Sequence, residues 1–491
     1  MVVTLDGHSL NLESAMRVAV GGSAVKISPE SLRRMAKFRS LLEQKISLGE
    51  MVYGVDTGIG SLAGRPVLAE DLDQLQINLI RSHSAGVGDP MPLDVVRAAM
   101  LIRINSLLIG NSATRPIVAE HLVGLLNKGV TPYVPRFGSL GASGDLIPSA
   151  HMALTIVGEG KAYHRGRIEE SAKALSASSL KPLVLKPKEG LSLINGTCFT
   201  TAFGAIAVHD GKLLLEAGNS SVALTAEALG ACSQPFDARL IGMKKSLGQD
   251  YVARRLRRFL SGSRRIRQEP LPQDPYSIRC APQVHGSVKE ALDFAEAITV
   301  GEMNSVSDNP VLFEDGTVLH GGNFHAQPVA MSLDLLAIAL SYLGVMSLAR
   351  INVLLTRTPQ DSKYMARRPG LESGLMILQY TATALAADNA TQMYPQSAYP
   401  AGVSEGIEDH ASHGVNAGMK ARAVIANVSR ILAIELICAS NRFPSNLDGV
   451  STHSRRVCAV VRGISPLLDG DRALAEDIER LTKAITAGKL P

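Results

Sequence analysis

A mainly α-helical fold is what this sequence predicts: an elongated central helical bundle joined to a loop-rich N-terminal helical domain. Three observations carry the prediction. Apolar residues make up 46% of the 491 residues, yet aromatic ones only 4%, with no Trp; Ala and Leu dominate, which favours close helix packing over a β-sandwich. Beyond residue 200 the windows 200–231, 287–304, 329–355, 371–389, 411–440 and 471–487 are long, helical in pattern and apolar on more than one face, as in a bundle buried further by oligomerisation. Strand signals are sparse. Length alone suggests about three domains. The pattern divides the chain into two, an N-terminal helical domain at 1–200 and a long-helix bundle domain at 201–491.

Taken in order, Ser28-Pro29-Glu30 is a helix start signal for residues 28–50, and 69–82 is again helical in pattern. Between them, Tyr53-Gly-Val-Asp-Thr-Gly-Ile-Gly60 has too many glycines for a regular element and reads as a loop. Residues 93–108 and 115–128 read as two further helices. A glycine-rich turn at 138–145 then precedes a helical segment to Ile156, with Asp145 as its N-cap. The polar stretch 161–190 holds the best hairpin candidate, Tyr163-His-Arg-Gly-Arg-Ile168. In 287–304, Ser287 is the expected cap, and Val288, Leu292, Ala295 and Ile298 form the apolar stripe. The most apolar run, Leu335–Ala349, is bounded by Asp334 and Arg350; it is too short to span a bilayer and reads as a buried core helix.

The net charge of +5 is thinly spread and leaves no footprint for nucleic acid. Arginines crowd residues 254–267, which read as a solvated loop or a subunit contact. Five cysteines, odd in number and without metal-ligand spacing, fit a reducing compartment and no metal centre. The opening Met1-Val-Val-Thr-Leu-Asp6 lacks the basic start and apolar run of a secretion signal. These features point to a cytoplasmic protein with no membrane or nucleic-acid partner.

Residues 138–145 read Gly-Ser-Leu-Gly-Ala-Ser-Gly-Asp, and the Ala142-Ser143-Gly144 core is the most informative segment. Side chains offer acids, bases and nucleophiles but no good carbon electrophile. An Ala-Ser-Gly turn can make one. The Gly144 nitrogen attacks the Ala142 carbonyl, a five-membered ring closes, and Ser143 loses its hydroxyl to leave an exocyclic methylene. Gly144 has no Cβ, so its nitrogen can be pressed against a carbonyl two residues back; Gly138 and Gly141 permit the strained turn. Ser143 supplies the leaving group, and Ala142 is small enough for the ring. As a bare tripeptide the run passes equally for an ordinary loop.

Six other segments look chemical: Tyr53 at the head of its glycine loop; Ser82-His83; Asn195-Gly196-Thr197; Gln273-Asp-Pro-Tyr276-Ser-Ile-Arg279; His320-Gly-Gly-Asn-Phe324-His325; and Glu408-Asp409-His410, read as a helix start where carboxylates suit the positive dipole end. Singly, each has a plain structural reading. Tyr53 packs at an edge, His83 caps carbonyls, Asn195 holds a turn, Arg279 forms an ion pair and Glu408 is a cap residue.

Together with the Ala-Ser-Gly turn, they resemble the ammonia-lyases and aminomutases that carry a methylidene-imidazolone ring, and the histidine-using members most closely. The matching text runs from about residue 45 to 440. It includes Tyr53-Gly-Val-Asp-Thr-Gly, Gly138-Ser-Leu-Gly-Ala-Ser-Gly-Asp145, His151-Met-Ala-Leu154, Asn195-Gly-Thr, Pro235-Phe-Asp-Ala-Arg239, Gln273-Asp-Pro-Tyr-Ser, Ser307-Asp-Asn-Pro310 and Gly322-Asn-Phe-His325. The resemblance implies the helical fumarase/aspartase-like superfamily. It also implies a homotetramer with active sites shared between subunits, and a ring formed autocatalytically from Ala142, Ser143 and Gly144 with no external cofactor. It further implies that Tyr53, its phenol pulled well below the usual value of about 10, takes the substrate β-proton. Tyr276 assists amine transfer, Arg279 clamps the carboxylate, Asn195 and Gln273 orient the carboxylate or the ring carbonyl, and His83 and Phe324 line the pocket.

Glu408 bears on the substrate. Histidine-using relatives have Glu there, and tyrosine- and phenylalanine-using ones usually Gln. A carboxylate facing an imidazole N–H is a charge-assisted contact, whereas facing a benzene ring it is buried and unpaired. That favours L-histidine, giving urocanate and ammonia. A lyase or 2,3-aminomutase acting on tyrosine or another amino acid shares nearly all these motifs and stands as the alternative; a non-catalytic helical scaffold is the remote one. The sequence departs from the pattern at Asp56, Ile59, Cys198, Gly406-Ile407 and His413, and across Thr356–Leu371.

Overall fold

The structure is a computed structural model that describes residues 2–399 and 402–491. Its helices are α1 (Leu12–Ala19), α2 (Pro29–Ser47), α3 (Leu72–His83), α4 (Leu93–Leu108), α5 (Pro116–Lys128), α6 (Leu146–Ile156), α7 (Ser171–Ala177), α8 (Glu189–Ile194) and α9 (Cys198–Leu229). They continue with α10 (Ala238–Gly242), α11 (Leu247–Phe259), α12 (Tyr276–Arg279), α13 (Ala281–Met303), α14 (Gln327–Thr356), α15 (Leu378–Thr391), α16 (Gly414–Asn441), α17 (Thr452–Ile464) and α18 (Ala475–Thr486). Strands are short and occur in small local sheets. The expected hairpin is present: Lys161–His164 pairs antiparallel with Arg167–Glu170, with Arg165 and Gly166 both left-handed between them, as a tight hairpin turn demands.

Two compact units emerge, each discontinuous in sequence. One comprises 1–206, 295–334 and 395–419; the other 207–294, 335–394 and 420–491. The division expected from sequence was contiguous, at residue 200. In the first unit, α4 is buried around its whole circumference, polar Arg103 and Asn105 included. Asn105 is satisfied by accepting from Gly7 N at 3.0 Å and donating to the Met303 carbonyl at 2.9 Å. The second unit packs one face of α11, through Val252, Leu256 and Phe259, against Val222, Ala226, Phe236 and Ile278.

Several local readings change. Ser287 is no cap; α13 begins at Ala281, and the Ser287 hydroxyl donates back to the Val284 carbonyl at 2.8 Å. Gly286, which looks like a breaker, sits inside the helix because a Cβ there would lie 2.8 Å from the Gln249 Cα and the Gly248 carbonyl carbon. Arg254, Arg255, Arg257 and Arg258 are on helix α11, not a loop: they form the outer face of a strongly amphipathic helix, and Arg257 donates to the Phe236 carbonyl at 2.6 Å. Residues 371–377 precede α15 as turns, with Gly374 left-handed and the Ser373 and Gly374 amides donating to Asp471 at 2.8 and 2.9 Å. Glu408 does not start a helix. α16 begins at Gly414, because Ser412 N and His413 N instead donate to the Gly141 and Leu140 carbonyls at 3.3 and 3.0 Å. The helix containing Leu335–Ala349 spans 30 residues; α14 and α16 are long and apolar enough to cross a bilayer, but 67% and 78% of their most apolar windows are buried inside the protein.

His285 on α13 is fully buried, with Nδ1 donating to Asn219 Oδ1 at 2.9 Å. Burial first, and then the Arg350 guanidinium, hold its imidazole well below the usual range. In the unfolded chain the same group takes a proton near pH 6.5. Below that pH the unfolded state binds more protons, so the stability contribution is complete above about 6.5 and declines as pH falls. One such group costs up to about 1.4 kcal/mol per pH unit. Denaturant titrations at pH 7 and pH 5.5 should therefore show a drop in stability that is smaller in His285→Gln than in the parent.

Candidate active site

The turn Gly138–Asp145 is held from behind by the segment Asn195–Cys198. Gly144 and Gly196 form a parallel bridge, and the Asp145 amide donates to the Gly196 carbonyl at 2.7 Å. Gly144 is left-handed (φ +81°), and a Cβ on it would overlap the Gly196 carbonyl. Only a residue without a side chain fits. The Asn195 side-chain amide donates to the Ser143 carbonyl at 2.9 Å, and its own oxygen accepts from the Asn309 backbone at 2.7 Å. That second contact fixes which end of the amide faces Ser143. Behind it, the buried Arg103 guanidinium donates to the Asn195 carbonyl at 2.9 Å.

Asp145 is the residue preceding α6, yet its carboxylate does not cap that helix. It accepts instead from Thr200 N at 2.7 Å, Thr200 Oγ1 at 2.9 Å and Ser139 Oγ at 3.1 Å. Burial pushes its carboxyl up, against the opposing pull of the Thr200 and Ser139 donors. The carboxylate thus ties both ends of the turn to α9.

A cavity of about 700 Å³ opens in front of this turn, lined among others by Tyr53, His83, Ser143, Asn195, Phe324 and Glu408. Ser143 points into it, its hydroxyl donating to Glu408 Oε1 at 2.5 Å. The Tyr53 hydroxyl accepts from Gly60 N at 2.9 Å. Asp56 accepts from Val52 N at 2.8 Å and closes the base of that loop, so this departure from the family pattern has a structural use. The His83 ring nitrogen Nδ1 donates to the Leu79 carbonyl at 2.9 Å, which leaves Nε2 as the acceptor. Burial pushes the His83 imidazole down, more than the Leu79 carbonyl and the Glu408 carboxylate pull it up. The cavity therefore presents a neutral imidazole and a carboxylate side by side. His325 and His410 stack with ring centres 5.2 Å apart on another wall.

Eight of the eleven expected site residues meet here: Tyr53, Ala142, Ser143, Gly144, His83, Asn195, Phe324 and Glu408 line the cavity or the smaller one adjoining the turn. Tyr276, Gln273 and Arg279 do not line it. They belong to the second compact unit, where Gln273 and Arg279 border a separate cavity of about 350 Å³. Tyr276 is 69% exposed, with the Arg279 guanidinium 4.6 Å over its ring. Sequence reasoning missed Arg103, Asn309 as a backbone donor, and the pairing of 412–413 with the turn. Arg103 carried a readable signal: a cation set in the apolar run Ala98–Ile104 of α4.

An aromatic amino acid lyase family model matches residues 10–462. The chain belongs to that family. Among its relatives, the histidine ammonia-lyase of Geobacillus thermodenitrificans is 44% identical over 97% of this chain and 96% of the relative; that of Symbiobacterium thermophilum is 43% identical over 99% and 96%. Among solved structures, the tyrosine aminomutase of Streptomyces globisporus superposes with a TM-score of 0.94 at 35% identity, covering 100% and 98% of the two chains. The histidine ammonia-lyase of Trypanosoma cruzi gives 0.93 at 35% identity, covering 100% and 94%. The chain is thus an ammonia-lyase-type enzyme with the helical fumarase/aspartase-like fold expected from its sequence. Members of this family use a methylidene-imidazolone electrophile.

The residues here fit such a ring. The Gly144 amide and Ala142 carbonyl lie within one tight turn, the Ser143 carbonyl already has a donor, and the Ser143 side chain faces the cavity. A methyl group at Gly144 adds left-handed strain of about 1–2 kcal/mol to a collision with backbone. Gly144→Ala should lower the thermal midpoint and expose the turn to proteolysis between residues 138 and 145.

Proposed function

We propose that this lyase eliminates ammonia from L-histidine to give urocanate, with its electrophile formed from Ala142, Ser143 and Gly144. The ring supplies an electrophilic methylene that turns the substrate amine into a leaving group. The remaining work falls to side chains, and each tenfold in rate asks about 1.4 kcal/mol of them. The reading calls on no metal and no external cofactor.

Tyr53 takes the β-proton; the Gly60 amide donates to its oxygen at 2.9 Å and holds it at the cavity wall. Asn195 donates to the Ser143 carbonyl, which becomes the ring carbonyl, and so withdraws electron density from the ring. Phe324 closes the apolar side of the cavity. Glu408 and His83 hold the substrate side chain. The observation that carries the choice of histidine is this pairing of acceptors beside Ser143: an imidazole ring offers the N–H that a carboxylate needs, and a benzene ring does not. The histidine ammonia-lyase relatives, at 43–44% identity over almost the whole chain, support the same choice.

No Lys or Arg lines the cavity among the described residues, although an α-amino acid brings a carboxylate. Arg279, with Tyr276 and Gln273 beside it, is the planar fork that this carboxylate requires. In this reading a neighbouring copy delivers all three, so that the working form is a homotetramer with shared sites. Its partners are then the amino acid and further copies of itself. Five cysteines stand as free thiols, as a reducing cytoplasm maintains them.

The likeness to a tyrosine aminomutase favours one second reading, a tyrosine lyase or 2,3-aminomutase. Substrate and product decide between them. Incubation with histidine should release ammonia and a product absorbing as urocanate, and tyrosine should give neither ammonia nor a β-amino acid. Glu408→Gln should lower kcat/KM for histidine by about 10- to 100-fold, the value of one charge-assisted hydrogen bond; unchanged histidine turnover would refute the assignment. A separate check concerns sharing. The parent's intact mass should lie two waters below its sequence mass and that of Ser143→Ala should not. Ser143→Ala and Arg279→Met chains, each inactive alone, should recover activity when co-assembled.

A further inference from the structure

We infer that the buried Arg350–Glu435 pair is a positioning device for the turn that carries Tyr276 and Arg279. Arg350 lies on α14 and Glu435 on α16, and both side chains are fully buried. The pairing is a two-toothed fork: Arg350 Nε donates to Glu435 Oε1 at 2.6 Å, and Nη2 to Oε2 at 2.8 Å. Thr225 Oγ1, from α9, donates to the same Oε1 at 2.7 Å. The fork fixes the plane of the guanidinium. Its remaining arm, Nη1, is thereby aimed, and it donates to the Ser277 backbone carbonyl at 3.1 Å.

Ser277 stands inside α12, one residue after Tyr276 and two before Arg279. A helix this short leaves most of its carbonyls without an intrahelical partner. Its N-terminus has no side-chain cap, and the Ser277 hydroxyl finds no partner of its own. Arg350 supplies an anchor from the core. The two site residues move as one body, since the Arg279 guanidinium rests 4.6 Å over the Tyr276 ring. A displacement of the Ser277 carbonyl therefore displaces phenol and guanidinium together.

Stability is a poor explanation for such a pair. Two charges taken wholly out of water gain little net over well-packed apolar residues of similar volume. A guanidinium clamped on one side does have a specific use: it presents its outer N–H in a single direction. His285, hydrogen-bonded to Asn219 at 2.9 Å, lies near enough for the Arg350 charge to help burial hold its imidazole low. The inference rests on the reading that Tyr276 and Arg279 act on substrate. Arg350 touches no substrate and is a positioning residue.

The test replaces both charges at once, Arg350→Met with Glu435→Met, which keeps volume and leaves no unpaired charge. Assembly state, thermal midpoint, hydrogen exchange at amides 276–280, kcat and KM are measured. A positioning role predicts the parent's assembly and a midpoint at or above the parent's. It also predicts faster exchange at 276–280, and kcat/KM lowered on the order of a hundredfold with KM raised, as for a clamp displaced by an ångström. A folded double variant with parental kinetics and exchange overturns it. Arg350→Lys is the companion variant in case the double one fails to fold: its ammonium still answers Glu435 but has no fork to aim a second donor. It should show the same kinetic split, and parental kinetics there overturn the proposal equally. Tyr276→Phe and Arg279→Met separate this inference from its premise. If those two turn over normally, the proposed roles of Tyr276 and Arg279 fall; if they are crippled while the pair variants are not, only the positioning role falls.

Discussion

Two glycines meeting back to back set the terms for the first half of this protein. Gly144 lies so close to the Gly196 backbone that a side chain on it has no room, while a Cβ on Gly196 would run into Ser307 Oγ and the Arg103 guanidinium. The Asp145 amide and the Asn195 side chain then reach across to the opposite strand at 2.7 and 2.9 Å. Several buried polar groups nearby support that contact. Arg103 steadies the Asn195 carbonyl, Asp145 ties Ser139 to Thr200, and the Asn309 amide orients Asn195. Buried charges and amides with so many partners keep a single arrangement, since any slip leaves a desolvated group unpaired.

The cavity in front of the turn has a one-sided chemistry. Glu408 accepts from the Ser143 hydroxyl, His83 donates through Nδ1 to the Leu79 carbonyl and keeps Nε2 as an acceptor, and Tyr53 is itself held by a backbone donor. No Lys or Arg lines that cavity among the described residues; in the proposed reaction the cation is Arg279, which forms a compact cation–π pair with Tyr276 in the other unit. The division has a physical logic. An arginine buried in the same cavity as Glu408 would pair with it, and both would be lost to the substrate. Each of the two turns meets its own buried arginine: Arg103 donates to the Asn195 carbonyl and Arg350 to the Ser277 carbonyl.

Legibility in the sequence followed the strength of local signals. The helices α2, α4, α5, α9, α14 and α16 were readable because their apolar periodicity is long and their caps, such as Ser28, are ordinary. The hairpin at 161–170 was readable from one Arg-Gly dipeptide. Helix starts failed where long-range contacts decide them. Ser287 reads as a cap until Gly248 is packed on Gly286 inside the helix, and Glu408 reads as a helix start until 412–413 pairs with 140–141. The arginines at 254–258 read as a loop because charge was visible and the apolar face beneath it was not.

The residues of the chemistry were present in the one-dimensional string: an Ala-Ser-Gly core that only small side chains permit, a phenol beside glycines, and a carboxylate at 408. Their identities are a matter of covalent chemistry, which sequence states directly. Which of them share a cavity and which way the Asn195 amide faces were decided by tertiary structure, whereas the free nitrogen of His83 is set by the helical carbonyl of Leu79. The shared cavity and the facing of the amide hang on contacts between residues more than a hundred positions apart in the chain, such as Asn195 with Asn309 and Ser143 with Glu408. No local pattern encodes a distance of that kind; only the closing of the fold does.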